Sequence, residues 1–481
     1  MPDIYRELEN LADSEMYPFH MPGHKRNVES TPLKGAFRCD ITEIDDFDNL
    51  HDEEGIILEA EQRACRLYGA DETYFLINGS TAGVLSAVSA AVKRNGRILA
   101  SRGSHRSFYH AAYLRNLDVE YLPARVIDEY GIPDCVRPED VEAAISAAEE
   151  KPEAVFITSP TYEGKCADVP GIVMVCHRYG IPLIVDAAHG AHFGFGEGVP
   201  ASAVQQGADI VVHSVHKTLP SMTQTALIHI NGNLVDKSEL KKFLRIYQSS
   251  SPSYVLMSSI DLCMKELEES GAEYLSKLVK YREKIQIETA KCSKIKIPGK
   301  DELEDPAKVL IYVRDGAMTG KQLYDILREE YALQLEMAGE SYALAIITGW
   351  DLEEGIDRLI KALIEIDKKL TSEKSVTKDS GSIYAMLPKK VFSIGEAWDM
   401  EKEVVALDQA QGRISADFVN LYPPGIPLVV PGEEISRELI DEIKELCRKN
   451  LNLQGLVTGD TEDNHGIIET EAKGLLCVKL K

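Results

Sequence analysis

The amino-acid sequence predicts an α/β protein: a mostly parallel sheet domain covered by helices, a smaller α/β domain, and an additional C-terminal α+β domain. Two observations carry the prediction. Short apolar runs alternate with helical patterns through the first half of the chain, each of strand length and each ending in a turn or polar loop. At 481 residues with 44% hydrophobic side chains, the chain exceeds one compact core and can fill several.

The predicted strands occupy residues 74–77, 97–100, 154–158, 181–185 and 210–213. Ligands of such sheets sit beyond the carboxyl ends of the strands, which directs attention to residues 78–81, 101–105, 159–164, 186–192 and 214–217. A long helical stretch near 260–290 precedes a second unit with strands at 309–313 and 343–348 around a helix at 320–330. Asp351 and Glu354 read as a capping box ahead of the helical Ile356, Leu359, Ile360 and Leu363. Residues 371–382 read as a polar linker, followed by the Pro-rich segment 422–427 and an amphipathic helix at 435–447. The expected domains are 1–290, 291–370 and 383–481.

The 78 acidic and 53 basic side chains give a formal charge of −25, which repels nucleic-acid phosphates and anionic membranes and suits a cationic substrate. Nine scattered cysteines, an odd number without zinc or redox spacing, argue against a disulfide framework. The N-terminal residues lack the pattern of a secretory signal, and no apolar run approaches the roughly 20 residues that span a bilayer. A reducing, cytoplasmic setting is expected, with neither nucleic acid nor membrane as partner.

Ser214-Val-His-Lys217 follows an apolar run, placing Lys217 at a strand end. There its amine can attack an aldehyde if its pKa is lowered, although a lone loop lysine is more often simply solvated. Asp186 ends another run. A carboxylate so placed can pair with the protonated pyridine nitrogen of pyridoxal phosphate, or merely cap a turn. Ser80 and Thr81, in Asn78-Gly-Ser-Thr81, stand between a strand and a helix whose first N–H groups suit a phosphate, though ordinary N-capping explains them equally. His105 lies at the same edge of the sheet, as a ring-stacking residue or a loop histidine satisfied by hydrogen bonds. Asp186, His189 and His192 stand at three-residue spacing, as a metal-dependent hydrolase would require. That reading leaves Lys217 and the Gly-Ser-Thr turn idle, so no metal is expected.

Together with Pro18-Phe-His-Met-Pro-Gly-His-Lys25, residues 40–51 and Tyr422-Pro-Pro-Gly-Ile-Pro-Leu428, these residues resemble the ornithine/lysine/arginine decarboxylase family of fold-type-I, aspartate-aminotransferase-like enzymes. The likeness spans residue 17 to about residue 434 and is closest to the compact bacterial branch. It implies pyridoxal phosphate held by Lys217, with Asp186 on the pyridine nitrogen, His105 stacked on the ring and His189 in its surroundings. It also implies Ser80, Thr81, Ser214 and His216 at the phosphate, and a homodimer or multiple of dimers in which Ser249–Ser251, Ser250 central, reach the neighbouring phosphate. Larger members carry an aromatic residue where His189 stands, and compact members often an acid where Ala187 stands.

The resemblance implies decarboxylation of a basic amino acid, arginine to agmatine ahead of lysine or ornithine. Asp186 would keep the pyridine nitrogen protonated, while Lys217 or His216 returns a proton to Cα. A buried cationic side chain needs an acid, and Asp417, just before the Pro-rich segment, is the leading candidate among Asp40–Asp48, Asp417, Glu433 and Glu434. The competing readings are an aminotransferase or other lyase on the same fold, and a catalytically silent binding protein.

Overall fold

The computed structural model describes residues 3–123, 125–370, 387–421, 426–449, 451–462 and 468–479. Its centre is a seven-stranded sheet made of β1 (Glu72–Leu76), β2 (Arg97–Ser101), β3 (Asp118–Leu122), β4 (Ala154–Thr158), β5 (Leu183–Asp186), β6 (Ile210–His213) and β7 (Ala226–Ile230). The order is β1-β7-β6-β5-β4-β2-β3. All neighbours pair in parallel except β7, which runs against both β1 and β6. Four strand runs read from the sequence match sheet strands within two residues at either end. The fifth starts two residues late, at Leu183, and extends to Asp186, bringing the carboxylate onto the strand itself.

Helices cover both faces, which is why the strands are apolar on both sides. Alternate residues serve opposite cores: Val211 packs with Ile57, Ile172 and Ile260 on one side, and Val212 with Val84, Phe108 and Leu240 on the other. Each such side chain, fully buried, contributes about 1.5–3 kcal/mol. The helix Gly79–Ala91 approaches the sheet closely because Gly83 has no side chain. A Cβ there would stand 2.6 Å from Leu76 and 2.9 Å from Val212, so this contact sets the depth at which the helix start meets the strand ends.

The 36-residue helix Tyr254–Thr289 leads to a four-stranded antiparallel sheet with strands Ile295–Lys296, Lys308–Val313, Tyr342–Ile346 and Met337–Ala338 in that order. The expected capping box does not form. Asp351 instead accepts from the Thr348 N–H at 2.6 Å, closing a turn, and Leu352 occupies the N-cap of the helix Glu353–Lys369 without a side-chain bond. The C-terminal part holds two three-stranded sheets and the helix Arg437–Arg448, which begins two residues later than its pattern suggests because Ser436 caps it by accepting from the Leu439 N–H. The expected linker 371–382, and residues 422–425 of the Pro-rich segment, lie outside the described residues. No helix among the described residues is long and apolar enough to cross a membrane.

Candidate active site

A cavity of about 480 Å³ opens beyond the carboxyl ends of β2, β4 and β5, lined by Ser80, His105, Thr158, Asp186, His189 and Lys217 among others. The chain's local turns explain the convergence. Asp186 is the last residue of β5, and the short helix Val215–Thr218 follows β6 directly, turning Lys217 back over the strand ends. The helix Gly79–Ala91 points its N-terminal N–H groups at the same place, with Ser80 in its first turn.

Desolvation dominates the electrostatics. Burial raises the Asp186 carboxyl, against the pull of Lys217 and the Ala188 N–H at 3.1 Å, and burial lowers the Lys217 amine, against Asp186 and Glu336. A lowered amine pKa is what a lysine nucleophile needs. Lys217 Nζ stands 3.0 Å from His189 Nε2, and Lys308 Nζ stands 2.7 Å from the same ring's Nδ1. Burial and the two amines hold His189 well below its ordinary pKa. His105 accepts at Nδ1 from the Ser107 N–H at 3.3 Å and caps the helix Arg106–Arg115; its ring borders the open cavity, yet the protein behind it and Lys217 push it down to about 4. His216 is lowered by burial, with Nδ1 2.9 Å from the Thr225 carbonyl.

The arrangement fits a phosphorylated aromatic aldehyde. It offers a low-pKa amine, a buried carboxylate and helix N–H groups, and two buried hydroxyls, Ser214 Oγ and Thr158 Oγ1, have no hydrogen-bond partner among the described residues. Unsatisfied buried hydroxyls of this kind ask for a ligand or water. A trio of metal ligands does not assemble: His189 faces two lysines and His192 pairs with Asp305 at 2.9 Å. Among the described residues no group of three or more His, Cys, Asp or Glu could hold an ion.

Five sequence candidates are not among the residues lining the cavity: Ser214 and His216, which flank Lys217 in the turn after β6, and Thr81, Ser250 and Asp417. Thr81 is exposed on the outer side of the helix start, and Ser250 is exposed in a loop held against that start by Ser249, whose N–H donates to Asn78 at 3.3 Å. Asp417 accepts from its own chain at the Phe418 N–H and faces Lys402 at 3.9 Å. The acids that do line the cavity are Asp134, Glu163, Asp186 and Glu336. Glu163 is buried with its carboxyl raised by desolvation and accepts from the Tyr342 hydroxyl at 3.1 Å, while Glu336 receives the Tyr162 hydroxyl.

Sequence reasoning missed Lys308, Glu163, Glu336 and Arg102. Lys308 heads the apolar run Lys-Val-Leu-Ile-Tyr-Val, where it passes for a polar residue ending a strand. Its burial comes from the loop after β4 in the other sheet unit, which no local pattern reports. Arg102 lines the cavity and pairs with the buried Glu433 at 2.9 Å, fastening the C-terminal residues Ile426–Leu428 as one wall.

Comparison with known proteins supplies the relatives. Residues 2–339 match the model of the Orn/Lys/Arg decarboxylase major domain, and residues 373–480 that of the Orn/Lys/Arg decarboxylase C-terminal domain. The chain is 31% identical to an arginine decarboxylase of Bacillus subtilis, over 94% of this chain and 95% of that protein. It is 23% identical to a lysine decarboxylase of Pseudomonas aeruginosa, over 97% of this chain and 78% of that protein. The solved structure of lysine decarboxylase A from Pseudomonas aeruginosa superposes with a TM-score of 0.83 at 20% identity, covering 100% of this chain and 80% of the other. The fold is therefore that of the aspartate-aminotransferase-like decarboxylases, with a C-terminal domain.

Proposed function

The chain belongs to the Orn/Lys/Arg decarboxylase family, and from that premise we propose that it binds pyridoxal phosphate and converts arginine to agmatine and carbon dioxide. The observation that carries the reading is the meeting of Lys217, Asp186, His105 and Ser80 around one cavity at the strand ends. The arginine preference rests on relatives named arginine decarboxylase at about 30% identity over most of both chains. Lysine is the second reading, favoured by the more distant relatives named lysine decarboxylase.

In this reading Lys217 would hold the cofactor, Asp186 would pair with its ring nitrogen, His105 and His189 would flank it, and Ser80, Ser214 and His216 would serve its phosphate. Pyridoxal phosphate supplies an electron sink for the carbon–carbon bond that breaks. Asp186, itself buried, would keep that sink effective by favouring a protonated ring nitrogen. Lys217 is the acid able to deliver the proton that replaces carbon dioxide at Cα; His216, neutral through burial and giving its Nδ1–H to the Thr225 carbonyl, presents a lone pair at Nε2 and must first take up a proton to serve as that acid.

The substrate's cationic end goes to Glu336, with Glu163 deeper, in preference to Asp417, because those two carboxyls line the cavity. Thr81 and Ser250 acquire their roles when a second copy of the chain packs against this edge, which gives a homodimer with shared sites. Exposed apolar side chains near the N-terminus, Tyr17 and Phe19, suit such a contact.

Release of carbon dioxide from arginine, lysine and ornithine, measured in parallel with product identification, tests the reading. Agmatine with stoichiometric carbon dioxide is expected, and a keto acid product would overturn it in favour of transamination.

A further inference from the structure

His189 lies between two lysine amines, with Lys217 Nζ 3.0 Å from Nε2 and Lys308 Nζ 2.7 Å from Nδ1. A neutral imidazole has one N–H and one lone pair. It therefore accepts from one of these amines and donates to the other, so the pair cannot both be ammonium groups bonded to it. One amine must be neutral.

Their other partners decide which. Lys308 has no exposed surface and donates a second hydrogen bond to the Tyr162 carbonyl at 3.0 Å. Its stem is pinned by Gly164, in the left-handed region at φ +105°, where a Cβ would stand 2.8 Å from Lys308 Cγ. The charged groups facing it are Asp305 on the approach to its own strand, Glu163 from the loop after β4, Glu336, and Lys217 across the imidazole. Burial works against an ammonium at Lys308, while three carboxyls and the hydrogen bond to the Tyr162 carbonyl favour it. Lys217 meets Asp186 and Glu336 as opposing charges, and His189 is its hydrogen-bond partner.

We propose that Lys308 is a positioning residue: by donating to Nδ1 it fixes the Nε2–H tautomer of His189, and that N–H holds Lys217 as a neutral amine ready to take up the cofactor aldehyde. The inference rests on the role proposed above for Lys217. In the capture step the Nζ lone pair forms the bond to the aldehyde carbon, and the carbonyl oxygen leaves as water with the two amine protons. A neutral amine completes that condensation without shedding a third proton.

Neutron diffraction of the cofactor-free protein reads the tautomer directly. Hydrogen on His189 Nε2 is expected, and hydrogen on Nδ1 with an uncharged Lys308 overturns the proposal. Competitive acetylation of the same protein, followed at the Lys217 peptide by mass spectrometry, reads the amine. Lys308→Met should reduce Lys217 reactivity at pH 7.5 by about ten-fold, equivalent to one unit of pKa, and shift His189 toward Nδ1–H, a change that loss of a distant positive charge would not cause. Lys308→Arg, which keeps a donor, should restore part of both. Unchanged Lys217 reactivity in Lys308→Met overturns the proposal. Borohydride fixation of pyridoxal phosphate on wild-type Lys217 is the separate control: its failure would remove the assigned role of Lys217 while leaving the tautomer measurement to stand on its own.

Discussion

Arg102→Leu tests whether the C-terminal domain is part of the active-site wall. Arg102 and Glu433 are 4% and 1% exposed and 2.9 Å apart. Arg102 also donates to the Tyr109 hydroxyl at 2.9 Å and the Leu428 carbonyl at 3.3 Å, with its guanidinium 5.0 Å from the Tyr121 ring centre. Glu433 in turn accepts from the Val430 N–H at 2.9 Å, so the pair fixes the chain from Leu428 to Val430 against the large sheet domain. Removing one partner of a buried pair leaves an uncompensated charge and costs about 3–5 kcal/mol. Because the two partners sit in different domains, that cost should fall on docking, and amide exchange across 426–430 should accelerate by roughly a hundred-fold or more if exchange there proceeds through undocking. Activity should fall with it, since Ile426, Pro427 and Leu428 line the cavity. The double variant Arg102→Leu/Glu433→Leu removes both charges and should recover much of the protection, because apolar replacement of a buried pair is often neutral or better. Hydrogen exchange followed by mass spectrometry measures all three proteins. Wild-type protection in Arg102→Leu, or a double variant as loose as the single one, would refute the reasoning.

Lys217→Ala should abolish retention of pyridoxal phosphate through borohydride reduction and lower carbon dioxide release by several orders of magnitude, checked by mass spectrometry and the release assay. Asp186→Ala should leave borohydride-fixed cofactor on Lys217 while reducing turnover at least a hundred-fold, read from kcat at saturating cofactor; a smaller loss would deny Asp186 its pairing with the ring nitrogen. Glu336→Gln should raise KM for arginine about ten-fold or more with little change in kcat, because it removes a charge from uniform substrate binding. Lys308, depressed by burial from 10.5 to about 8, makes the folded state bind fewer protons than the unfolded chain between those values, so stability rises with pH there. Wild type should gain up to about 3 kcal/mol over Lys308→Met between pH 8 and 10.5, measured by denaturant melts across that range.

The parts of the site legible in the sequence share one property: each follows a strand that its own residues announce. Ile210-Val-Val-His and Leu183-Ile-Val-Asp are apolar on both faces, so the residues next in line, Lys217 and Asp186, could be assigned to the ligand edge before any coordinates. β3 and β7 were not legible as strands. Asp118-Val-Glu-Tyr-Leu is short and half polar at an edge, and Ala226-Leu-Ile-His-Ile carries an internal histidine whose burial depends on partners: His229 bonds to Thr73 at 2.8 Å and to His213 at 3.0 Å.

What the sequence could not disclose is the second layer, because its members are joined by distance in the chain and closeness in space. Lys308 and His189 are 119 positions apart, Arg102 and Glu433 331 apart, and neither pair has a local signature. The acids that line the cavity escape the sequence for the same reason. Asp417 is near the Pro-rich segment in the chain, but chain neighbourhood does not set side-chain direction, and its carboxylate turns to the Phe418 N–H and Lys402. Glu163 and Glu336 reach the cavity from the loop after β4 and from the second sheet unit, so the end of the site that would choose between guanidinium and ammonium is assembled where two domains meet. The lysine proposed to hold the cofactor can therefore be written in one strand-to-helix turn, whereas the acids proposed to meet the substrate come together only through contacts between domains. Substitutions that switch arginine for lysine should accordingly lie at Glu163, Glu336 and their supports, and leave the Ser-Val-His-Lys turn untouched.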